Sequence, residues 1–564
     1  MLFVIQQYIF RMSVIAVASN IVGMDFVSKA FLIRDPVHGY IQVAAHERIL
    51  VDHPVTQRLR RINQTGLADL VYPEARTSRF AHSLGAMHLA SRFLISAIEN
   101  ANEADSLDFF TGIEHLNLLN EREFKFACLD DLLFADRLEG GGLKAATVVF
   151  RHKKLRQSAT KYRRLLGLAE AGLRLAALFH DLGHLPFSHD MEFSFEEYIA
   201  RCKHQGKRIP DGLRVLVGGP PHEVIGHELA RLVFQTLVQS QTTAVKAAFS
   251  LARQILQVPG GFYDQPRPSA GVIEWLHSLV DGEVDVDRAD YLLRDARALG
   301  FEFAIYDLDR LVSNLVLVKQ GELGLATAVK ERGFSALESF YVSRSRSNQY
   351  LPRHHKVAQI AIAFRYVAEN ILGCDQCQEF RRTLSRLGKG GTYSKAEAER
   401  ILISFGDFDD TWWFQVMRAE CQSTAPLFRA CADLILHRKS TLTSVWKRKG
   451  DLSYTQALSL NSYLSESLTV LPNLRDKLRR SGILVLVHRF RPVRLRPTGD
   501  NAGESLMLLE TGEKSLMPVT KHSTLIHSLI KAWKRDIHLH VFQIAGKALA
   551  ADEIVQLILA GGSR

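Results

Sequence analysis

The chain has 564 residues, 47% of them hydrophobic and 23% charged, the proportions of an ordinary soluble protein able to bury a core. Lys and Arg number 71 against 60 Asp and Glu, a net charge of +11 that favours polyanionic partners such as nucleotides or nucleic acid and leaves the fold open. Six cysteines exclude a disulfide framework, and Cys374 with Cys377 forms a C-x-x-C that no second pair completes into a zinc site, so reduced thiols and a cytoplasmic location are expected.

Met1–Gly23 is apolar but is divided by Arg11, and the run Met12–Gly23 is too short to cross a bilayer. Residues 1–29 therefore read as an N-terminal extension, either signal-like or the product of a start placed ahead of Met12 or Met24. No other stretch reads as transmembrane, so no membrane partner is expected. Phe31–Tyr40, FLIRDPVHGY, reads as a short strand and turn, followed by helical patterns that break at Pro54 and at Tyr72–Ser78. Apolar residues recur at helical spacing from Arg79 to about Asn100. Residues of about 101–165 are more polar, end in the basic run RHKKLRQSATKYRR, and read as an insertion with its own helices. Ala169–His180 is a strongly apolar helix stopped by Gly183 and Pro186. Helical patterns continue through His222–Leu256, Val272–Leu299 and Phe334–Leu372. After about Gly373 the character changes. A Gly-rich linker leads into a helix, Ile483–Pro497 alternates like an edge strand, and IHLHVFQIAG reads as a late strand. The fold class expected is mainly α, a helical bundle over 30–372 with a smaller α+β region over 373–564. The P-loop pattern is absent, which removes support for a P-loop NTPase.

The central chemical signal is LFHDLGHLPFSH, Leu178–His189. His180 and Asp181 are adjacent at a helix end, His184 follows one turn later, and His189 closes the block. Imidazole and carboxylate together suit a divalent transition ion such as Fe, Mn, Zn or Ni. A lone His-Asp pair means little, since most helix-end histidines are satisfied locally, but three histidines and an aspartate within ten residues are far less often coincidental. SRFAHSLG, Ser78–Gly85, adds His82 at a helix start with Arg79 one turn before it. EVDVDRADYLLRD, Glu283–Asp295, puts Asp287, Tyr291 and either Arg294 or Asp295 on one helix face; taken alone it reads more simply as a solvated charged surface.

In order, His82, His180-Asp181 and Asp287 resemble the H…HD…D signature of the HD superfamily. The blocks DPVHGY, DHPVTQRLRRINQTG, SRFAHSLG, HDLGHLPFSH and EVDVDRADYLLRD resemble the deoxynucleoside triphosphate triphosphohydrolases, over about Leu32–Lys356. The resemblance implies an HD-domain bundle in which His82, His180, Asp181 and Asp287 hold the metal. It implies His184 and His222 at the α-phosphate and His189 near the triphosphate, all three candidates for the catalytic acid. Arg79 and Arg288 match phosphate binders. Gln64 and Asp295 match readers of the 3′-hydroxyl, and Tyr291 matches the tyrosine that excludes ribose. Mg would accompany the nucleotide. The sequence departs from the family at Glu192, where the mammalian member has aspartate, at Thr65 in place of leucine, and in R-H-H-K (Arg353–Lys356) in place of Y-x-H-K.

The resemblance also implies a homo-oligomer and an activating nucleotide at Asp52, Gln57 and Arg60, with Phe31 replacing a lysine of that site. A fold-supporting role for R-L-R-x-I-x-Q is the simpler account of the same residues. The implied reaction releases triphosphate and a deoxynucleoside from a dNTP. Two rivals stand beside it. One is another HD enzyme, a nucleotidase, phosphodiesterase or 3′–5′ exonuclease. The other is a nucleotide sensor or nucleic-acid-binding protein, kept in view by the basic stretches 144–164 and 487–495.

Overall fold

The computed structural model describes residues 31–126, 152–214, 220–258, 271–320, 324–388, 391–420, 425–439 and 441–446, then 453, 455–456, 459–460, 471–489, 508–510, 515–534, 537–545 and 549–560. The extension over 1–29, the middle of the 101–165 insertion and the stretch 490–497 lie outside the described residues.

Among the described residues the chain is mainly α, with three small sheets, as its patterning implies. FLIRDPVHGY opens a two-stranded antiparallel hairpin, β1 (Phe31–Asp35) with β2 (Gly39–Val43). Three helices frame the centre: α1 (Arg79–Asn100), α2 (Ala159–Phe179) and α3 (Val286–Leu299). Helix α2 starts at Ala159 rather than Ala169, because its first turns, ATKYRR, are polar and more exposed while every residue from Leu165 to Phe179 is buried. That burial on all sides follows from its position between α1 and the helix Thr243–Leu256; each leucine removed from water contributes roughly 1.5–3 kcal/mol.

Phe334–Leu372 is two helices, Phe334–Tyr350 and His355–Ile371, because Pro352 cannot continue the first. A hairpin absent from the sequence reading, β3 (Leu315–Gln320) with β4 (Gly324–Lys330), packs on α1. Strand β4 also pairs in parallel with Leu508–Glu510. Ile483–Arg489 is an edge strand, as its alternation suggests, in a sheet whose central strand is Ile537–Ile544. One continuous apolar core runs from Ile41 to Phe542, so helices beyond Gly373 pack into the same interior as those before it. No described helix is long and apolar enough to cross a membrane.

Candidate active site

Ser78 caps α1 by accepting from the Ala81 amide at 3.3 Å, which sets His82 in the first turn. Asp285 caps α3 in the same way, accepting from Arg288 N at 2.7 Å, and sets Asp287 in its first turn. His180 and Asp181 follow directly on the end of α2. These three helix ends meet. His82 Nε2 lies 3.0 Å from Asp287 Oδ1 and 3.4 Å from Asp181 Oδ2. His180 Nε2 lies 3.4 Å from Asp181 Oδ1 and 3.7 Å from Asp287 Oδ1.

Both histidines are anchored through Nδ1, His82 donating to Asp290 Oδ2 at 2.8 Å and His180 to the Ala177 carbonyl at 2.7 Å. Their Nε2 atoms are buried and in no hydrogen-bonding geometry. Two inward lone pairs beside two carboxylates suit a divalent cation, with the outer hydrogen bonds fixing each tautomer. The group His82, His180 and Asp287 can hold a metal ion. Burial opposes a charged His82, but Asp287, Asp290 and Asp181 outweigh it and push the imidazole up to about 10; the pocket is short of positive charge.

Gly85 serves this arrangement. A Cβ there would stand 1.8 Å from Asp290 Oδ1, so only glycine lets α3 bring Asp290 behind His82. Asp290 also takes both Nε and Nη2 of Arg294, at 2.8 and 2.9 Å, and Arg294 reaches Asp35 at 2.8 Å. On α3 the residue that shares the cavity face with Asp287 and Tyr291 is therefore Asp295, not Arg294.

The other histidines form a second cluster around Glu192, in the first turn of the helix His189–His204. His184 Nδ1 lies 2.9 Å from Glu192 Oε1, while His189 Nδ1 and His222 Nδ1 lie 3.1 and 3.0 Å from Oε2. The rings of His184 and His222 stack with centroids 4.3 Å apart, and His184 Nε2 is 3.1 Å from Asp181 Oδ1. Burial opposes a charged Glu192, yet His222, His189 and His184 hold its carboxyl well below the usual range. Burial likewise opposes a charged His222, but Glu192 raises it to about 8. Burial, then the charge of Arg79, lowers His184 to about 4. One carboxylate thus organises a charged and a neutral imidazole side by side. The sequence reading noted Glu192 only as a departure; its signal was the i, i+3 spacing from His189 at a helix start.

Through His180, Asp181 and Asp287 on one side and His184, His189 and His222 on the other, both clusters open on one cavity of about 720 Å³, lined also by Gln64, Tyr291, Asp295 and Arg344. Gln64 Oε1 is buried without a hydrogen-bond partner. Asp295 accepts from Thr77 Oγ1 at 3.2 Å, and burial pushes its carboxyl up to about 6. Burial also raises the Tyr291 phenol. Arg79 lines the cavity while donating to Asp181 and, at 2.8 Å, to Ser188 Oγ. Arg288 lines it too, with its guanidinium on Asp285 and the Gly282 carbonyl.

Asp52, Gln57 and Arg60 lie away from the cavity lining. Arg60 Nε donates to Gln57 Oε1 at 2.7 Å and its guanidinium sits 3.7 Å over the Phe80 ring, while Asp52 pairs with Arg48 at 3.1 Å on the surface. Cys374 and Cys377 are free thiols.

No family model matches the chain. An uncharacterised protein of Methanocaldococcus jannaschii is 24% identical over 328 residues, 58% of this chain and 46% of its own length. The deoxynucleoside triphosphate triphosphohydrolase SAMHD1 homolog of Dictyostelium discoideum is 24% identical over 283 residues, 50% of this chain and 38% of its own. The chain thus spans about half, or less, of these relatives. A phosphohydrolase of Bacteroides thetaiotaomicron superposes with a TM-score of 0.51 at 19% identity, covering 91% of this chain and 99% of that one. A hypothetical protein of Aquifex aeolicus does so with 0.51 at 18%, covering 94% and 100%. At such identities the structural likeness is one of fold. Taken with the histidine–carboxylate cluster, these relationships support an HD phosphohydrolase family for the chain and leave its subtype open.

Proposed function

We propose that the chain is a metal-dependent dNTP triphosphohydrolase, releasing a deoxynucleoside and intact triphosphate. The observation that carries this reading is the single cavity that His180, Asp181 and Asp287, packed against the buried His82, share with Gln64, Tyr291 and Asp295. In this reading those four residues hold a divalent transition ion, and the ion supplies Lewis acidity at the α-phosphate. Gln64 and Asp295 bind the 3′-hydroxyl, and the Tyr291 ring closes the 2′ side. Arg79, and Arg288 once drawn off Asp285, offset phosphate charge where Mg accompanies the nucleotide.

Water attacks the α-phosphorus, the bond to the sugar 5′-oxygen breaks, that oxygen takes a proton from a histidine, and the proton shed by the water restores the donor. His184, kept neutral by burial, orients the α-phosphate. The proton comes from the Glu192-bound pair, His189 and His222; Glu192 keeps His222 charged near neutral pH. Asp52, Gln57 and Arg60 form the site of an activating nucleotide between subunits of a homo-oligomer, and the enzyme drains dNTP pools, as in defence against viruses. The test incubates the protein with each dNTP, with Mn or Mg, with and without a second nucleotide, and identifies the products. Triphosphate with deoxynucleoside is expected. Monophosphate with pyrophosphate, or cleavage of oligonucleotides alone, points to another HD phosphohydrolase.

A further inference from the structure

Two loops wall the cavity, one carrying Asn63 and Gln64 and the other Phe187 and Ser188. Phe187 and Ser188 both hold positive φ, 57° and 56°, a region that side chains other than glycine enter only under constraint. The constraint comes from far along the chain. Asp410, at the start of the helix Asp410–Glu420, is 9% exposed. Its Oδ1 accepts the Phe187 amide at 2.7 Å and its Oδ2 accepts the Asn63 amide at 2.9 Å. Ser188 Oγ closes the loops on each other by donating to the Asn63 carbonyl at 2.7 Å.

Neighbours brace the same point. The fully buried Arg58 donates to the Phe408 carbonyl at 2.8 Å and to the Leu182 and His184 carbonyls at 3.0 and 2.6 Å. Asp409 takes Arg61 and, at 2.9 Å, the Trp412 amide. The segment 408–410 therefore grips the 58–63 and 182–187 segments at once.

We infer that Asp410 is a positioning residue for the cavity: its two carboxyl oxygens hold the Gln64 loop and the Phe187–Ser188 loop in register. Only a side chain with two acceptors at this reach serves both amides. Asparagine offers one oxygen and turns an N–H toward the other amide. Through Ser188 the hold extends to Arg79 and hence to Asp181. The inference rests, for its effect on turnover, on the proposed phosphohydrolase reading.

The experiment compares full-length wild type with Asp410→Asn by hydrogen exchange, bound-metal analysis and titration with inorganic triphosphate. Exchange over 62–66 and 185–190 should accelerate by about ten- to a hundredfold, the loss of one buried hydrogen bond. Helices Arg79–Asn100 and Ala159–Phe179 should exchange as in wild type, metal content should hold, and triphosphate should bind about tenfold more weakly. Unchanged exchange in both loops overturns the inference, as does loosened exchange with undiminished triphosphate affinity. Should the variant not fold, wild-type exchange alone decides: the Asn63 and Phe187 amides should open together with Asp410–Glu420, and opening ahead of it refutes the hold. A wild type that neither binds triphosphate nor hydrolyses nucleotides removes the proposed function, while loop exchange still judges Asp410.

Discussion

His38 Nε2 lies 2.6 Å from Asp290 Oδ1, both side chains almost wholly buried. Since the other oxygen of Asp290 takes His82 Nδ1, the DPVHGY block is joined by two hydrogen bonds to His82 of the candidate metal cluster. His38→Gln should lower affinity for Mn or Zn by about 10- to 100-fold through loss of that outer support, with the overall fold kept. Chelator competition measures it. An unchanged affinity would leave His38 with a packing role alone.

Glu192 and the histidines around it set a pH dependence whose sign is fixed. His222 is raised from 6.5 to about 8, so its contribution is fully present below 6.5 and is lost as pH rises through 8. Glu192 is lowered, so its contribution is present above its usual range near 4.5 and is lost in more acid solution. The stability advantage of wild type over Glu192→Gln should therefore be widest between about pH 5 and 6.5 and shrink above 8. Urea unfolding at pH 6 and pH 9 checks this, and an equal advantage at both contradicts it.

Tyr291 and Asp295 make the sugar test direct. Wild type should turn over dATP in preference to ATP by roughly 5- to 150-fold, the worth of about 1–3 kcal/mol. Tyr291→Ala should narrow that ratio chiefly by admitting the ribonucleotide. Competition assays with both substrates read the ratio; parity in wild type removes Tyr291 and Asp295 as sugar readers.

Arg60, stacked on Phe80 and bonded to Gln57, lies on the short segment that leads to Gln64. A nucleotide there has a physical route to the cavity through one turn of chain. A lag or sigmoid dependence on one dNTP, relieved by a second nucleotide, is expected in wild type and absent from Arg60→Ala with metal binding intact. Hyperbolic kinetics throughout, identical in the variant, indicate a constitutive enzyme.

The convergence of His82, His180, Asp181 and Asp287 was legible because each sits in a local pattern, at a capped helix start or an apolar helix end, and the patterns occur in order. The face shared by Asp287, Tyr291 and Asp295 was legible from helical spacing, although spacing alone could not choose between Arg294 and Asp295; the close approach at Gly85 decides it. Asp290 and Asp410 were not legible as supports, whereas the fold-supporting reading of R-L-R-x-I-x-Q takes in Arg58. Asp410 acts on backbone amides of distant segments, an action that leaves no mark on composition or periodicity. The β3–β4 hairpin was missed because LVLVKQ is too short to separate from a buried helical turn by pattern.

Asn63 and Asp410 stand 347 positions apart, which gives the cavity an order of assembly. At a synthesis rate of about 5–20 residues per second, roughly 20 to 70 s separate the emergence of one from the other. The four side chains proposed to hold the ion all precede Asp410, so the growing polypeptide carries them well before it carries the clasp that shapes the cavity. A polypeptide released in that interval carries the histidine–carboxylate cluster without the clasp on the cavity loops.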